Sequence, residues 1–133
     1  MGVILDTSVL IGWERKAASL EAYAAGHPDE PAGLSVITAA ELLHGVHRAD
    51  TAVRRLKRSA YVEQVLSSFP LYHFDLGVGR VYAELWATLE RRGIKVSAHD
   101  LIIGATAVSR GDTVLTLNRR DFGKIPGLSV ELL

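Results

Sequence analysis

The sequence predicts an α/β domain with a mainly parallel sheet, on three observations. Short apolar runs alternate with segments of helical spacing along the whole chain, and residues that cap or break helices stand between them. The run Val3–Leu5 shows no polar alternation, as a central strand covered on both faces does not. No repeat, linker or low-complexity tract divides the pattern, so residues 1–133 are expected to form one domain.

The elements follow in order. Val3–Leu5 reads as a central strand, and a helix starts at once, with Thr7 or Ser8 able to cap it and Val9, Leu10, Ile11 and Trp13 as its apolar side. Residues 17–25 read as an alanine-rich helix, broken by His27-Pro28-Asp29-Glu30-Pro31. Residues 33–37 are expected as the second strand, and Thr38-Ala39-Ala40-Glu41 as the start of a helix reaching about Arg48. Residues 51–68 form an amphipathic helix whose apolar stripe is Val53, Leu56, Tyr61, Val65 and Leu66. A short strand over 71–74 precedes Asp75, a cap for a helix carrying Val78, Tyr82, Leu85, Trp86 and Leu89 at helical spacing up to Gly93. Ser97 caps a helix over 98–109 that Gly111 ends. Strands over 113–117 and 128–132 complete the chain.

Composition narrows the chemistry. The chain has 133 residues, 48% of them hydrophobic, which suffices for one real core. Zero cysteines exclude disulfides and thiolate-bound zinc, fit a reducing interior, and leave oxygen donors and five histidines as metal ligands. Oxygen donors favour magnesium or manganese. His44 and His47 share a helix face but have no carboxylate partner at zinc-protein spacing, and His99 reads as a cap or packing residue. The N-terminus has no basic leader region, and the longest apolar stretch, 101–108, is far short of the roughly 20 residues that span a bilayer. A soluble cytoplasmic protein is expected.

Fifteen Lys and Arg balance fifteen Asp and Glu, so no global basic field draws nucleic acid. Three local patches remain: Arg54, Arg55, Lys57 and Arg58; Arg91, Arg92 and Lys95; and Arg119, Arg120 and Lys124. Each is also an ordinary solvated face.

Four acids stand at or just beyond the ends of apolar runs: Asp6, Glu41, Asp100 and Asp121. In a parallel α/β fold these positions meet at one edge of the sheet, where such folds bind ligands. Two unit charges about 5 Å apart repel by roughly 3 kcal/mol at an effective dielectric near 20, so clustered carboxylates call for a divalent cation or basic partners. Each acid has a plainer reading. Asp6 can be a helix cap, Thr38-x-x-Glu41 and Ser97-x-x-Asp100 fit the capping box, and Asp121 can be a loop acid neutralised by Arg119 and Arg120. Asn118, just past a strand end, is a further oxygen donor near Asp121.

Four segments carry a resemblance: Ile4-Leu5-Asp6-Thr7-Ser8-Val9-Leu10-Ile11, Ile37-Thr38-Ala39-Ala40-Glu41-Leu42 with Gly45, His99-Asp100-Leu101-Ile102-Ile103-Gly104-Ala105-Thr106-Ala107, and Leu117-Asn118-Arg119-Arg120-Asp121-Phe122. In this order, end to end, the chain resembles the PIN-domain family, and within it the VapC-type toxins of bacterial toxin–antitoxin modules. The resemblance implies a Rossmann-like three-layer α/β/α sandwich and a magnesium- or manganese-dependent endoribonuclease that hydrolyses RNA with metal-activated water. Asp6, Glu41, Asp100 and Asp121 match its acidic quartet; Thr7, Ser8 and Asn118 match the polar supporters. It also implies a homodimer and a VapB-like antitoxin whose C-terminal tail lies across the acidic site. Arg119, Arg120, Arg54 and Arg58 are the candidate RNA contacts, because such residues grip phosphates without reading sequence. The competing readings are a metal-dependent phosphatase, a DNA-directed nuclease, and a non-catalytic binding module whose acids are merely caps.

Overall fold

The computed structural model describes residues 2–16 and 20–133. Five strands, β1 (Val3–Leu5), β2 (Ala32–Ser35), β3 (Leu71–Tyr72), β4 (Thr113–Thr116) and β5 (Ser129–Leu132), form one sheet in the order β3-β2-β1-β4-β5. Every neighbouring pair is parallel. The chain first builds outward from β1 through β2 to β3, then crosses back to place β4 on the other side of β1. The strand order therefore reverses beside β1, and the crevice at the carboxyl ends of β1 and β4 is where such sheets receive ligands.

Two layers of helices cover the sheet. Val3 and Leu5 pack with Val9, Leu10, Leu20, Leu34, Leu42, Val62 and Val65, which belong to α1 (Thr7–Glu14), α2 (Leu20–Gly26), β2, α3 (Val36–Arg48) and α4 (Ala52–Ser68). Ile4 points the other way, into a core with Val78, Leu85 and Leu89 of α5 (Leu76–Arg91) and Leu101 and Ile103 of α6 (Ala98–Arg110). This alternation along one fully buried strand is what three layers require. The expected sandwich with its central β1 is thus the observed one.

Several boundaries differ from expectation. β2 ends at Ser35, and Val36 and Ile37 open α3 instead of prolonging the strand, because the Ser35 hydroxyl accepts the Ile37 amide at 3.2 Å. The third strand is only Leu71–Tyr72. The alanine-rich helix is described from Leu20 to Gly26; the part expected over 17–19 lies outside the described residues. In α4 the stripe residues Val53 and Leu56 are exposed while Val62 is buried, since the first turns of this helix extend past the core. α6 behaves as expected, capped by Ser97 and stopped by Gly111 at φ 71°, a left-handed conformation that glycine adopts without steric cost.

Gly33 of β2 is another position where glycine is required. A Cβ there would collide with the ring of Tyr72 on β3, which in turn carries the Arg110 guanidinium 3.6 Å over its centroid. The stack sits on the edge strand and holds the end of α6 to the sheet.

Candidate active site

The hydroxyls around Asp6 come from adjacent strand ends. In the sheet register Leu5 pairs with Leu115, so the next residues, Asp6 and Thr116, lie side by side, and the Asp6 amide donates to the Leu115 carbonyl at 2.9 Å. Asp6 is 7% exposed and makes no side-chain cap to α1. Its Oδ2 instead accepts from Ser8 Oγ at 2.6 Å and from Thr116 Oγ1 at 2.9 Å. The Ser8 oxygen also accepts the Leu117 amide at 3.1 Å, which ties α1 to the end of β4. Among the described residues no buried side-chain oxygen lacks a partner, so the second oxygen of Asp6, which has no hydrogen bond, retains contact with solvent. The expected cap at Thr7 or Ser8 is therefore replaced by a clamp on a carboxylate.

Glu41 is equally free of its plainer role. Because Ser35 caps α3, Thr38 sits inside the helix, fully buried, and the Thr38-x-x-Glu41 box does not form. Glu41 reaches toward α1, where Thr7 Oγ1 donates to its Oε1 at 2.9 Å, and His99 Nδ1 stands 3.6 Å from its Oε2. Glu41 thus bridges three helices that end at the crevice.

Asp100 lies in the first turn of α6, and its amide donates to Ser97 Oγ at 3.2 Å, so one arm of the expected capping box exists. Its carboxyl has a different environment. Burial first and the charge of Asp6 next push its pKa up to about 6; the Ser97 hydrogen bond pulls the other way, by more than the further push from either Asp121 or Glu41. The three other carboxylates of the quartet are the charges that act on this one. Asp121, at the start of the 3₁₀ turn Phe122–Lys124, meets Lys124 Nζ at 3.3 Å, in place of the neighbouring arginines. Asn118 turns its side-chain oxygen back to the Arg120 amide at 3.2 Å, and Arg119 and Arg120 are exposed beside it.

The arrangement suits a hard divalent cation. All the donors are oxygens, and burial with mutual repulsion is relieved when such an ion enters. With the side chains as they stand, no three of the described carboxylates and imidazoles close around one point. Magnesium, however, keeps several waters and takes one or two carboxylates, so a closed protein cage is not what it needs.

Thr116 is the site residue that sequence reasoning missed. Its only signal was its place one residue beyond the partner of Leu5, which is visible once the β1–β4 register is known.

An α/β/α sandwich in which Asp6, Glu41 and Asp121 all act on a half-buried Asp100 near the carboxyl edge of a parallel sheet is the arrangement of a PIN-type domain, and the sequence profile of the PIN domain matches residues 3–128. The chain belongs to the PIN-domain family. Ribonuclease VapC1 of Rickettsia felis is 38% identical over 130 residues, covering 98% of this chain and 95% of that protein. The tRNA(fMet)-specific endonuclease VapC of Salmonella typhimurium is 34% identical over 98 residues, 74% of this chain and 72% of that one. The crystal structure of DNA-bound VapBC from Salmonella typhimurium superposes with a TM-score of 0.87 at 28% identity, over 99% of this chain and 98% of that chain. Within the family the chain is accordingly a ribonuclease of the VapC toxin type.

Proposed function

We propose that the protein is a magnesium- or manganese-dependent endoribonuclease in which Asp6, Glu41, Asp100 and Asp121 form the metal site, with Thr7, Ser8 and Asn118 supporting them. The observation that carries this reading is the raised pKa of Asp100, caused by burial and by the other three carboxylates. A divalent ion held there would supply Lewis acidity toward the scissile phosphate and acidify a water.

The chain's own residues do the rest. Ser8 and Thr116 fix Asp6 through one oxygen and leave the other without a hydrogen bond, while Thr7 orients Glu41. Asp100, its pKa pushed up to about 6, is mostly ionised at neutral pH. Arg119, Arg120, Arg54 and Arg58 hold RNA phosphates. Because water is the attacking group, the products carry 5′-phosphate and 3′-hydroxyl ends, and 2′,3′-cyclic phosphate ends would contradict the mechanism. The cap-only reading loses support, since neither Asp6 nor Asp121 makes a side-chain cap and Ser35 caps α3.

The partner we propose is a VapB-like antitoxin whose tail lies across the acidic cleft, as its charge favours a basic side chain there. The neighbouring toxin–antitoxin complexes support this pairing. A homodimer would cover the exposed Phe74, Leu76 and Trp86 around α5. Among the described residues no helix is long and apolar enough to cross a membrane, and we propose that the protein acts in the cytoplasm on RNA.

Purified wild type and Asp100→Asn, free of antitoxin, are to be incubated with total cellular RNA in manganese, magnesium or chelator, and the cut ends mapped. Discrete metal-dependent cuts by wild type alone are expected. Equal cutting by both proteins would remove the carboxylates from the mechanism.

A further inference from the structure

Beside Glu41 the crevice opens into a cleft of about 680 Å³ that runs between α1, α3 and α4. Its walls combine the site residues Thr7 and Glu41 with Arg15 at the end of α1, Arg48 at the end of α3, and Arg58 of α4. Arg48 and Arg58 also line the adjoining cavity, with Arg54 and Lys57 and the acids Glu14 and Asp50, so a mainly basic lining continues outward from Glu41.

The cations in this cleft differ in how they are neutralised. Arg54 is paired with Asp50 at 2.9 Å, and Arg58 stands 3.6 Å from Glu14. Arg15 and Arg48 are exposed and make no ion pair among the described residues. Two unneutralised guanidinium groups thus share one cleft with Glu41. Arg58 reaches from α4 toward α3 beside Gly45, where a Cβ would lie in ordinary contact with Arg58 Cδ at 3.8 Å. Ile11, 37% exposed, and Ile37 add apolar surface between the cations and Glu41. A strand entering here meets apolar surface for its bases and guanidinium groups for its phosphates, with His44 and His99 also in the lining.

We propose that this cleft is an extended subsite for single-stranded RNA, in which Arg15 and Arg48 bind the phosphates next to the scissile one and Arg58 closes the floor. The proposal rests on the ribonuclease reading, which it deepens by giving the RNA a path away from the metal site. Arg15 and Arg48 act in affinity and are not catalytic residues. Their loss raises KM and leaves kcat nearly unchanged.

The test measures binding of a fluorescein-labelled single-stranded RNA of mixed sequence to the full-length Asp100→Asn protein as salt is varied. Arg15→Gln and Arg48→Gln are added one at a time to that background, with Arg110→Gln as a control. Arg110 pairs with Asp112, which binds the Gly2 amide at the start of β1, so it lies at the opposite edge of the sheet. Removing a guanidinium that neutralises one phosphate makes the dependence of log K on log salt shallower by about 0.7 for a single strand. The expected result is that decrease for Arg15→Gln and for Arg48→Gln, and none for Arg110→Gln. Unchanged slopes for both, while wild type still cuts total RNA, would overturn the subsite and leave the ribonuclease reading standing. Equal decreases for all three would show diffuse attraction and also overturn it. Failure of folded wild type to cut any RNA in manganese would sink the ribonuclease reading and the subsite with it.

Discussion

Asp6 and Asp121 follow the carboxyl ends of adjacent strands, β1 and β4, yet they are held very differently. Asp6 is buried, its amide is bonded to β4, and two hydroxyls fix one of its oxygens. Asp121 is partly exposed at the start of a 3₁₀ turn, and Lys124 at 3.3 Å is its one side-chain partner among the described residues. The difference teaches a division of labour. One carboxylate is preorganised by its surroundings, and the other adjusts to whatever charge occupies the crevice. Preorganised groups lose most when altered, because nothing nearby can move to replace them.

The largest expected effect is therefore at the fixed side. Asp6→Asn should reduce RNA cutting to background while the protein remains folded, as checked by circular dichroism and by mapped cleavage of total RNA. Substantial residual cutting would break the comparison at its strong end. Next is Thr116→Val, which keeps the shape of the side chain and removes one hydroxyl from Asp6. A loss of about 10- to 100-fold in metal-dependent activity is expected, the usual range for a residue supporting a ligand. Stability should fall by about 1 kcal/mol by urea denaturation, since Ser8 still serves the same oxygen. Asp121→Asn should cost about tenfold or less and be partly compensated by higher manganese concentration. An effect there as large as at Asp6 would erase the distinction between the two positions.

A smaller effect appears in metal-free stability. The Asp100 pKa, raised to about 6 from an unfolded value of 3.8, means that the folded protein holds more protons than the unfolded one between those values. Stability of the metal-free protein should then rise as pH falls from about 6 toward 4, as far as this group is concerned. Asp100→Asn should raise Tm above pH 6 in chelator and abolish the stabilisation that manganese gives wild type, which at a hundredfold excess over Kd amounts to about 2.7 kcal/mol. Thermal unfolding of both proteins, with and without manganese, reads both changes.

Much of this was legible in the sequence because the central strands are simple. Val3–Leu5 and the strand at 113–117 are short, apolar and buried on both faces, and each is followed directly by a member of the acidic quartet or its loop. The four candidate acids were therefore singled out by position. Their surroundings were harder to read. Thr38-x-x-Glu41 looks like a capping box, and only the earlier cap by Ser35 releases Glu41, a choice the local sequence leaves open because Val36 and Ile37 suit a strand as well as a helix. Thr116 was invisible because its role depends on register between strands more than a hundred residues apart. Val53 and Leu56 misled in the opposite direction. They keep helical spacing with buried residues of α4, but burial depends on where the helix leaves the core, which periodicity does not record. Arg15 and Arg48 carry no motif and emerge only when α1, α3 and α4 enclose a common cleft.

The central claim is that the four acids form one electrostatically coupled site, and the most direct measurement is the titration of the Asp100 carboxyl carbon by NMR in metal-free protein, in wild type and in Asp6→Asn. The account predicts a midpoint near 6 in wild type and a lower one when the Asp6 charge is removed, because Asp6 is the largest of the three charges that raise it. A midpoint at the ordinary aspartate value, unmoved by Asp6→Asn, would contradict it.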